Sequence, residues 1–181
     1  MLNKPWEYTD FWDNESQYLT WLRGQLRQIW SDYPVRVIFK DEQCIEVTPK
    51  MREDYGLHRM TKKAAQCVFC LNWFAKSKLE VDHIVGESSL TSVLEVVSYL
   101  DHLQCSPDNM QLVCKPCHKI KTYAERFSLS FEDARLEKRV IEWLKQPLNE
   151  QMEFFDKLGY SQEDVSNAKK RRVAARELLK P

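Results

Sequence analysis

From Thr9 to Tyr33 the apolar residues Phe11, Trp12, Tyr18, Leu19, Leu22, Leu26, Ile29 and Trp30 recur at the three- and four-residue spacing that lines one face of a helix. Thr9 or Asp10 is placed to cap the start of this helix and Pro34 to stop it. Beyond Pro34, β-branched and aromatic residues cluster on both sides of the polar Asp41-Glu42-Gln43, which predicts a hairpin of two short strands over Val35–Val47. The run Lys78–Ile84 reads as a strand that ends in an acid and an imidazole, and Leu90–Leu103 is helix-like. Pro116 suits an early position of a helix running to about Phe127. Ser130-Phe131-Glu132-Asp133 and Ser161-Gln162-Glu163-Asp164 match the capping-box pattern ahead of helix-forming sequence, so the C-terminal third reads as two or three helices.

Composition adds exclusions more than assignments. Lys plus Arg and Asp plus Glu each total 27, so the chain lacks the overall basic charge of many nucleic-acid binders. Contact with phosphate has to come from local patches at Lys62 and Lys63, or at Lys115, Lys119 and Lys121. The run Lys169–Arg172 lies in a segment rich in both signs of charge and reads as a solvated helix face. The four glycines, at 24, 56, 86 and 159, are too scattered to build a glycine-rich phosphate loop. The opening residues lack the apolar core of a signal peptide, and no apolar run approaches the roughly 20 residues of a membrane span. The expectation is a soluble, cytoplasmic protein without a membrane partner. The six tryptophans suit a core as well as base stacking, and the core is the commoner place for them.

In a chain without an export signal, six cysteines point to metal binding before disulfides. Cys67-Val68-Phe69-Cys70 and Cys114-Lys115-Pro116-Cys117 are two CxxC pairs, each short enough for a knuckle turn that aims both sulfurs at one ion. Four thiolates complete a closed tetrahedral Zn²⁺ site of the structural kind. A redox CxxC explains one pair but not two. Cys44 and Cys105 fall outside the pattern and read as small buried apolar residues. The long stretch between the pairs excludes a simple zinc ribbon. A finger with two histidines fails because residues 87–89 are Glu-Ser-Ser. The His-x-Glu of zinc deaminases and the His-Glu-x-x-His of zincins are absent.

Adjacent strand residues point to opposite faces, so Asp82 and His83 serve one site only where the strand ends or bends, as the nearby Gly86 allows. His118 follows the second knuckle directly, which fixes it at the start of the next helix. Taken together, Cys67-x2-Cys70, Val81-Asp82-His83-Ile84 and Asn109-x4-Cys114-x2-Cys117-His118-x2-Lys121-Thr122 resemble the HNH endonucleases with a zinc-bound ββα-metal core, over roughly residues 60–125. Small free-standing proteins of that kind are common in bacteriophages, so the resemblance is compatible with a phage source and a host-cytoplasmic location. It implies that Asp82 and His118 hold a divalent ion, Mg²⁺ or Mn²⁺, that His83 is the general base, and that Asn109 braces the His83 loop. Lys119 and Lys121 are then candidates for contact with nucleic acid. His58 and His102 match no motif position and read as structural or surface residues. Residues 84–108 are longer than the loop the family more often has at that place, which leaves the partner of Asn109 open.

The fold expected on this basis is α+β, a ββα-metal (His-Me finger) core with two zinc knuckles, flanked by mainly helical segments. Residues 1–58 form an N-terminal helix plus the hairpin, 59–127 the nuclease core and 128–181 a helical extension. The expected activity is metal-dependent hydrolysis of DNA phosphodiester bonds, with RNA as a variant substrate. The flanking helices are candidates for a homodimer or protein contact. The rival is a non-catalytic zinc module that binds nucleic acid or protein.

Overall fold

A computed structural model describes residues 3–86 and 89–180. Backbone contacts divide the chain into two units, Met1–Lys115 and Pro116–Pro181. The architecture mixes helices with two small antiparallel sheets.

The first unit opens with helix α1, Glu15–Asp32. Its cap is Asn14, whose side chain accepts from the Gln17 N–H, and neither Thr9 nor Asp10 takes that place. Pro34 does end α1, but it also begins α2, Pro34–Glu42, where its fixed φ suits the first helical position. The hairpin predicted over Val35–Val47 is therefore absent: it is replaced by α2 and a two-residue strand β1, Ile45–Glu46. The pattern misled because α2 is inverted. Val37 and Ile38 face solvent, while Arg36 lies over the Trp30 ring and Lys40 donates to the Leu79 carbonyl at 2.6 Å. The half-buried positions 35, 36, 39 and 40 have helical spacing, but two of the four are cations.

Helix α3, Pro49–Tyr55, is capped by Thr48 and closed by Gly56 at φ +62°, a left-handed conformation natural to glycine. Strands β1, β2 (Lys63–Gln66) and β3 (Trp73–Ala75) form an antiparallel sheet in that order. The second sheet pairs β4, Leu79–His83, with β5, Met110–Cys114, antiparallel and in a register that sets Leu79 opposite Cys114 and His83 opposite Met110. Between them lies α4, Val96–Leu103, the helical part of the Leu90–Leu103 stretch. Leu19, Leu90, Tyr99 and Leu103 form a buried apolar cluster, with Tyr18, Leu22, Leu26 and Trp30 packed on it, so α1 and α4 share one core. Glu87 and Ser88, where a histidine finger fails in sequence, lie outside the described residues.

Helix α5, Lys115–Phe127, continues directly from β5, so strand, strand and helix follow one another in the order β4, β5, α5. In the second unit come α6 (Phe131–Trp143), α7 (Leu148–Lys157) and α8 (Ala168–Leu178). Ser130 caps α6 by accepting from the Asp133 N–H. Ser161 and Asp164 bond each other in the same way, yet no helix follows: α8 starts later, on the Asn167 cap. Local capping chemistry there stabilises a turn, and buried Val165 anchors the segment into the core of Leu136, Val140, Phe155 and Ala175. Glu137 is buried on α6 and is held by Arg172 and Arg176 of α8. Among the described residues, no helix is long and apolar enough to cross a membrane.

Candidate active site and metal centre

The first knuckle is a tight turn after β2. The Cys67 N–H donates to the Asn72 carbonyl at 3.0 Å, and the Leu71 N–H donates back to the Cys67 carbonyl at 2.9 Å. Leu71 closes the turn at φ +58°, an unfavourable left-handed conformation for a residue with a Cβ, costing on the order of 1 kcal/mol. The knuckle is tied to the second sheet by the Val68 N–H, which donates to the Leu112 carbonyl at 3.1 Å. Cys114 ends β5 and Cys117 lies in the first turn of α5.

The sulfurs of Cys67, Cys70, Cys114 and Cys117 all lie within 4.8 Å of one another. Cys70 Sγ and Cys114 Sγ are 3.9 Å apart. A tetrahedron with metal–sulfur bonds of about 2.3 Å has edges of roughly 3.8 Å, so the sulfurs are close to the spacing of a four-thiolate zinc site. Burial pushes the Cys67 thiol up, but the backbone N–H groups of Cys70, Cys114 and Phe69 and the Cys70 thiol outweigh it and bring it down to about 7. Donors aimed at a sulfur favour its thiolate, the form that binds metal. These four residues can therefore hold a metal ion such as zinc. Cys44 and Cys105 stand apart from the cluster; burial pushes both thiols up, as in inert core cysteines.

On β4, Leu79, Val81 and His83 are buried and Glu80 and Asp82 half-buried, so the strand's alternation runs through to its last residue. His83 falls on the covered face, and at 5% exposure it is almost enclosed. The Trp30 ring stacks on its imidazole, with centroids 4.2 Å apart and planes at 28°. His83 Nε2 is 2.9 Å from the Leu103 carbonyl oxygen. A carbonyl only accepts, so this nitrogen carries a proton and donates it. Leu103 is the last residue of α4, so the segment inserted between His83 and Asn109 delivers the group that orients His83.

Asp82 is on the other side of the strand. Gln111, its cross-strand partner on β5, donates from Nε2 to Asp82 Oδ2 at 3.1 Å and lies 3.4 Å from the His83 carbonyl. Just past the strand end, Asn109 grips the chain: its Oδ1 accepts from the Val85 N–H at 2.8 Å and its Nδ2 donates to the Val85 carbonyl at 3.0 Å. The Asn109 carbonyl also accepts from the Ile84 N–H at 2.8 Å. Three bonds thus fix the loop that leaves His83, and the long insertion does not displace Asn109 from it.

His118 is half-buried one position beyond Cys117 on α5. Lys119 is exposed, whereas Lys121 is buried and its ammonium bonds Glu125 one turn on. His58 and His102 are exposed and bond nearby backbone, His58 Nδ1 accepting from the Met60 N–H and His102 Nδ1 lying 2.7 Å from the Ser98 carbonyl. Sequence reasoning missed Trp30, the Leu103 carbonyl and Gln111. Trp30 carried no signal beyond its place in a helical stripe, and Gln111 becomes meaningful only once the register is known.

Comparison of the chain with curated proteins and with solved structures gave no match. A family model does match: residues 67–124, which contain the clustered cysteines, Asp82, His83, Asn109 and His118, correspond to the family described as HNH endonuclease. That match spans 58 of the 181 residues, so it is this segment that is similar to an HNH endonuclease domain.

Proposed function

We propose that the protein is a metal-dependent endonuclease that hydrolyses DNA phosphodiester bonds on a ββα-metal core, stapled by a structural zinc on Cys67, Cys70, Cys114 and Cys117. The observation that carries this reading is the holding of the β4 end, where His83 is oriented by Trp30 and the Leu103 carbonyl and the outgoing loop is clamped by Asn109. Such preorganisation is what a catalytic base requires. With Nε2 donating to the Leu103 carbonyl, Nδ1 of the neutral tautomer is the nitrogen proposed to take the proton of the attacking water. Asp82, steadied by Gln111, and His118 are the proposed ligands of a catalytic Mg²⁺ or Mn²⁺. When bound, such an ion stabilises negative charge on the phosphate and on the leaving oxygen. The half-buried carboxylate of Asp82 offers the hard oxygen donor these ions prefer. Exposed Lys119 is available to backbone phosphate, whereas Lys121 is engaged by Glu125.

The burial of His83 favours a second reading, a zinc module that binds nucleic acid without cutting it, since a base needs access to water. Plasmid cleavage by the zinc-loaded protein with Mg²⁺ or Mn²⁺ separates the two. The expected result is cleavage that falls by a factor of about 10²–10⁴ in His83→Gln, the range of general-base catalysis. Glutamine keeps an N–H for the Leu103 carbonyl, so folding and zinc content serve as controls. Full activity in a well-folded His83→Gln protein refutes the base assignment, and binding of nucleic acid by the wild type without cleavage of DNA or RNA supports the zinc-module reading. A parallel digestion of RNA tests the choice of substrate.

A further inference from the structure

On the first unit, a groove of about 730 Å³ is lined by Lys40, Lys62, Lys63, Lys76 and Lys78 together with His58. Three stretches of chain converge there: the end of α2, the run from His58 into β2, and the turn between β3 and β4. The lining contains no carboxylate. The neighbouring Asp41 bonds Lys76 at 2.5 Å and Lys63 at 2.9 Å, which fixes two of the ammonium groups in place. Lys40 is tied to the Leu79 carbonyl. Among the described residues Lys62 and Lys78 have no carboxylate partner, and both are exposed.

The lysine stems, Met60 and Ala75 give the groove apolar walls, while the charged groups along it are five ammonium ions beside His58 and no carboxylate, an arrangement that complements a polyanion. Its place on the chain that leads into β4 points to a nucleic-acid backbone. Lys78 leads directly into β4, and five residue steps at about 3.3 Å separate it from His83, or about 17 Å along the strand. A nucleic-acid strand advances about 3.4 Å per nucleotide, so a backbone lying in the groove is about five nucleotides from one engaged at His83.

We infer that this lysine groove is a docking track for the phosphodiester backbone of duplex DNA, engaging the flank of the substrate about five nucleotides from the cut. The inference rests on the nuclease reading above and gives it a second, sequence-independent point of attachment. Phosphate contacts of this kind position a duplex without reading its bases. They also offset the chain's lack of overall positive charge by concentrating cations on one face.

The test measures binding of the zinc-loaded full chain to a fluorescent duplex over a KCl series, without added Mg²⁺ or Mn²⁺ so that no cutting intervenes. Removing one cation that neutralises a phosphate lowers the salt slope by about 1, so Lys62→Gln combined with Lys78→Gln is expected to reduce it by about 2. Lys145→Gln combined with Lys157→Gln, on lysines paired with Glu142 and Glu153, is expected to leave it unchanged. Both groove lysines are exposed, and zinc content and circular dichroism check that the fold is kept. An unchanged slope in the groove variant of a DNA-binding, DNA-cutting protein overturns the track and leaves the nuclease reading intact. A reduced slope without any cleavage upholds the groove as a contact for the DNA backbone but overturns its stated distance from a cut, together with the nuclease reading. Absence of both binding and cleavage overturns both.

Discussion

Replacing Trp30 with alanine tests whether the ring over His83 positions it or merely covers it. The indole is half-buried, so its removal costs less than the roughly 3–5 kcal/mol of a fully buried aromatic. The stack on His83 at 4.2 Å contributes about 0.5–1.5 kcal/mol beyond area burial. The Arg36 guanidinium, 5.5 Å from the ring centroid, adds about 0.5–1 kcal/mol. A loss of roughly 2–3 kcal/mol in denaturant unfolding is expected from these terms. Activity should fall further than stability explains: without the ring the imidazole can tilt away from the Leu103 carbonyl, and a misplacement near 1 Å costs about 10²-fold in rate. Trp30→Phe keeps a stacking face and is expected to recover most of the rate. Both are measured by plasmid cleavage at a temperature where each variant is fully folded. A folded Trp30→Ala protein that cuts at the wild-type rate shows the ring to be packing alone and refutes the positioning argument.

Asn109→Ala removes two side-chain bonds to Val85 and is expected to cost about 1–2 kcal/mol, while Asn109→Asp keeps the acceptor for the Val85 N–H and loses only the donor; equal cleavage by all three proteins contradicts the clamp. Removing zinc with a chelator, or substituting Cys70→Ser, is expected to unfold the β5–α5 junction, read as loss of bound zinc together with loss of thermal cooperativity; a chelated protein with an unchanged melting curve contradicts a structural ion. Hydrogen bonds from Lys76 and then Lys63 hold the Asp41 carboxyl down at about 2. Because that lies below the ordinary carboxylate value, the stabilisation from these pairs is complete above about pH 4 and is lost as pH falls through about 2. An NMR titration of the Asp41 carboxyl carbon with an ordinary midpoint contradicts the pairing.

The parts of the site legible in sequence were those whose chemistry is local. Two CxxC pairs announce a cluster because the turn that aims each pair is only four residues long, and α5 could be started at the second pair because a proline sits where a helix tolerates it. Asn109 carried a motif position, though not its partner. The groups that hold His83 were invisible because they depend on distant chain: Trp30 reaches it from α1, and the Leu103 oxygen is a backbone atom with no side-chain signature. The same distinction explains the misread hairpin. Val37 and Ile38 looked like strand interior, but their exposure follows from Arg36 and Lys40 being drawn inward by the Trp30 ring and the Leu79 carbonyl. The lysine groove was half visible, as Lys62 and Lys63, until folding added Lys40, Lys76 and Lys78.

The boundary of the family match sharpens what the N-terminal segment does. Residues 67–124 include every motif residue, yet Trp30 lies ahead of them, as do the groove lysines Lys40, Lys62 and Lys63. The same helix that brings Trp30 to His83 shares its core with α4, whose last carbonyl orients the imidazole from another side. The two groups that hold His83 thus rest on one apolar cluster, so a change in the packing of Leu19, Tyr99 or Leu103 is expected to disturb both partners of the ring together. On the proposed reading the segment before residue 67 would act on the chemistry through the apolar cluster and on the substrate through the groove, and double-mutant cycles between Trp30 and Leu103 are the measure of that coupling.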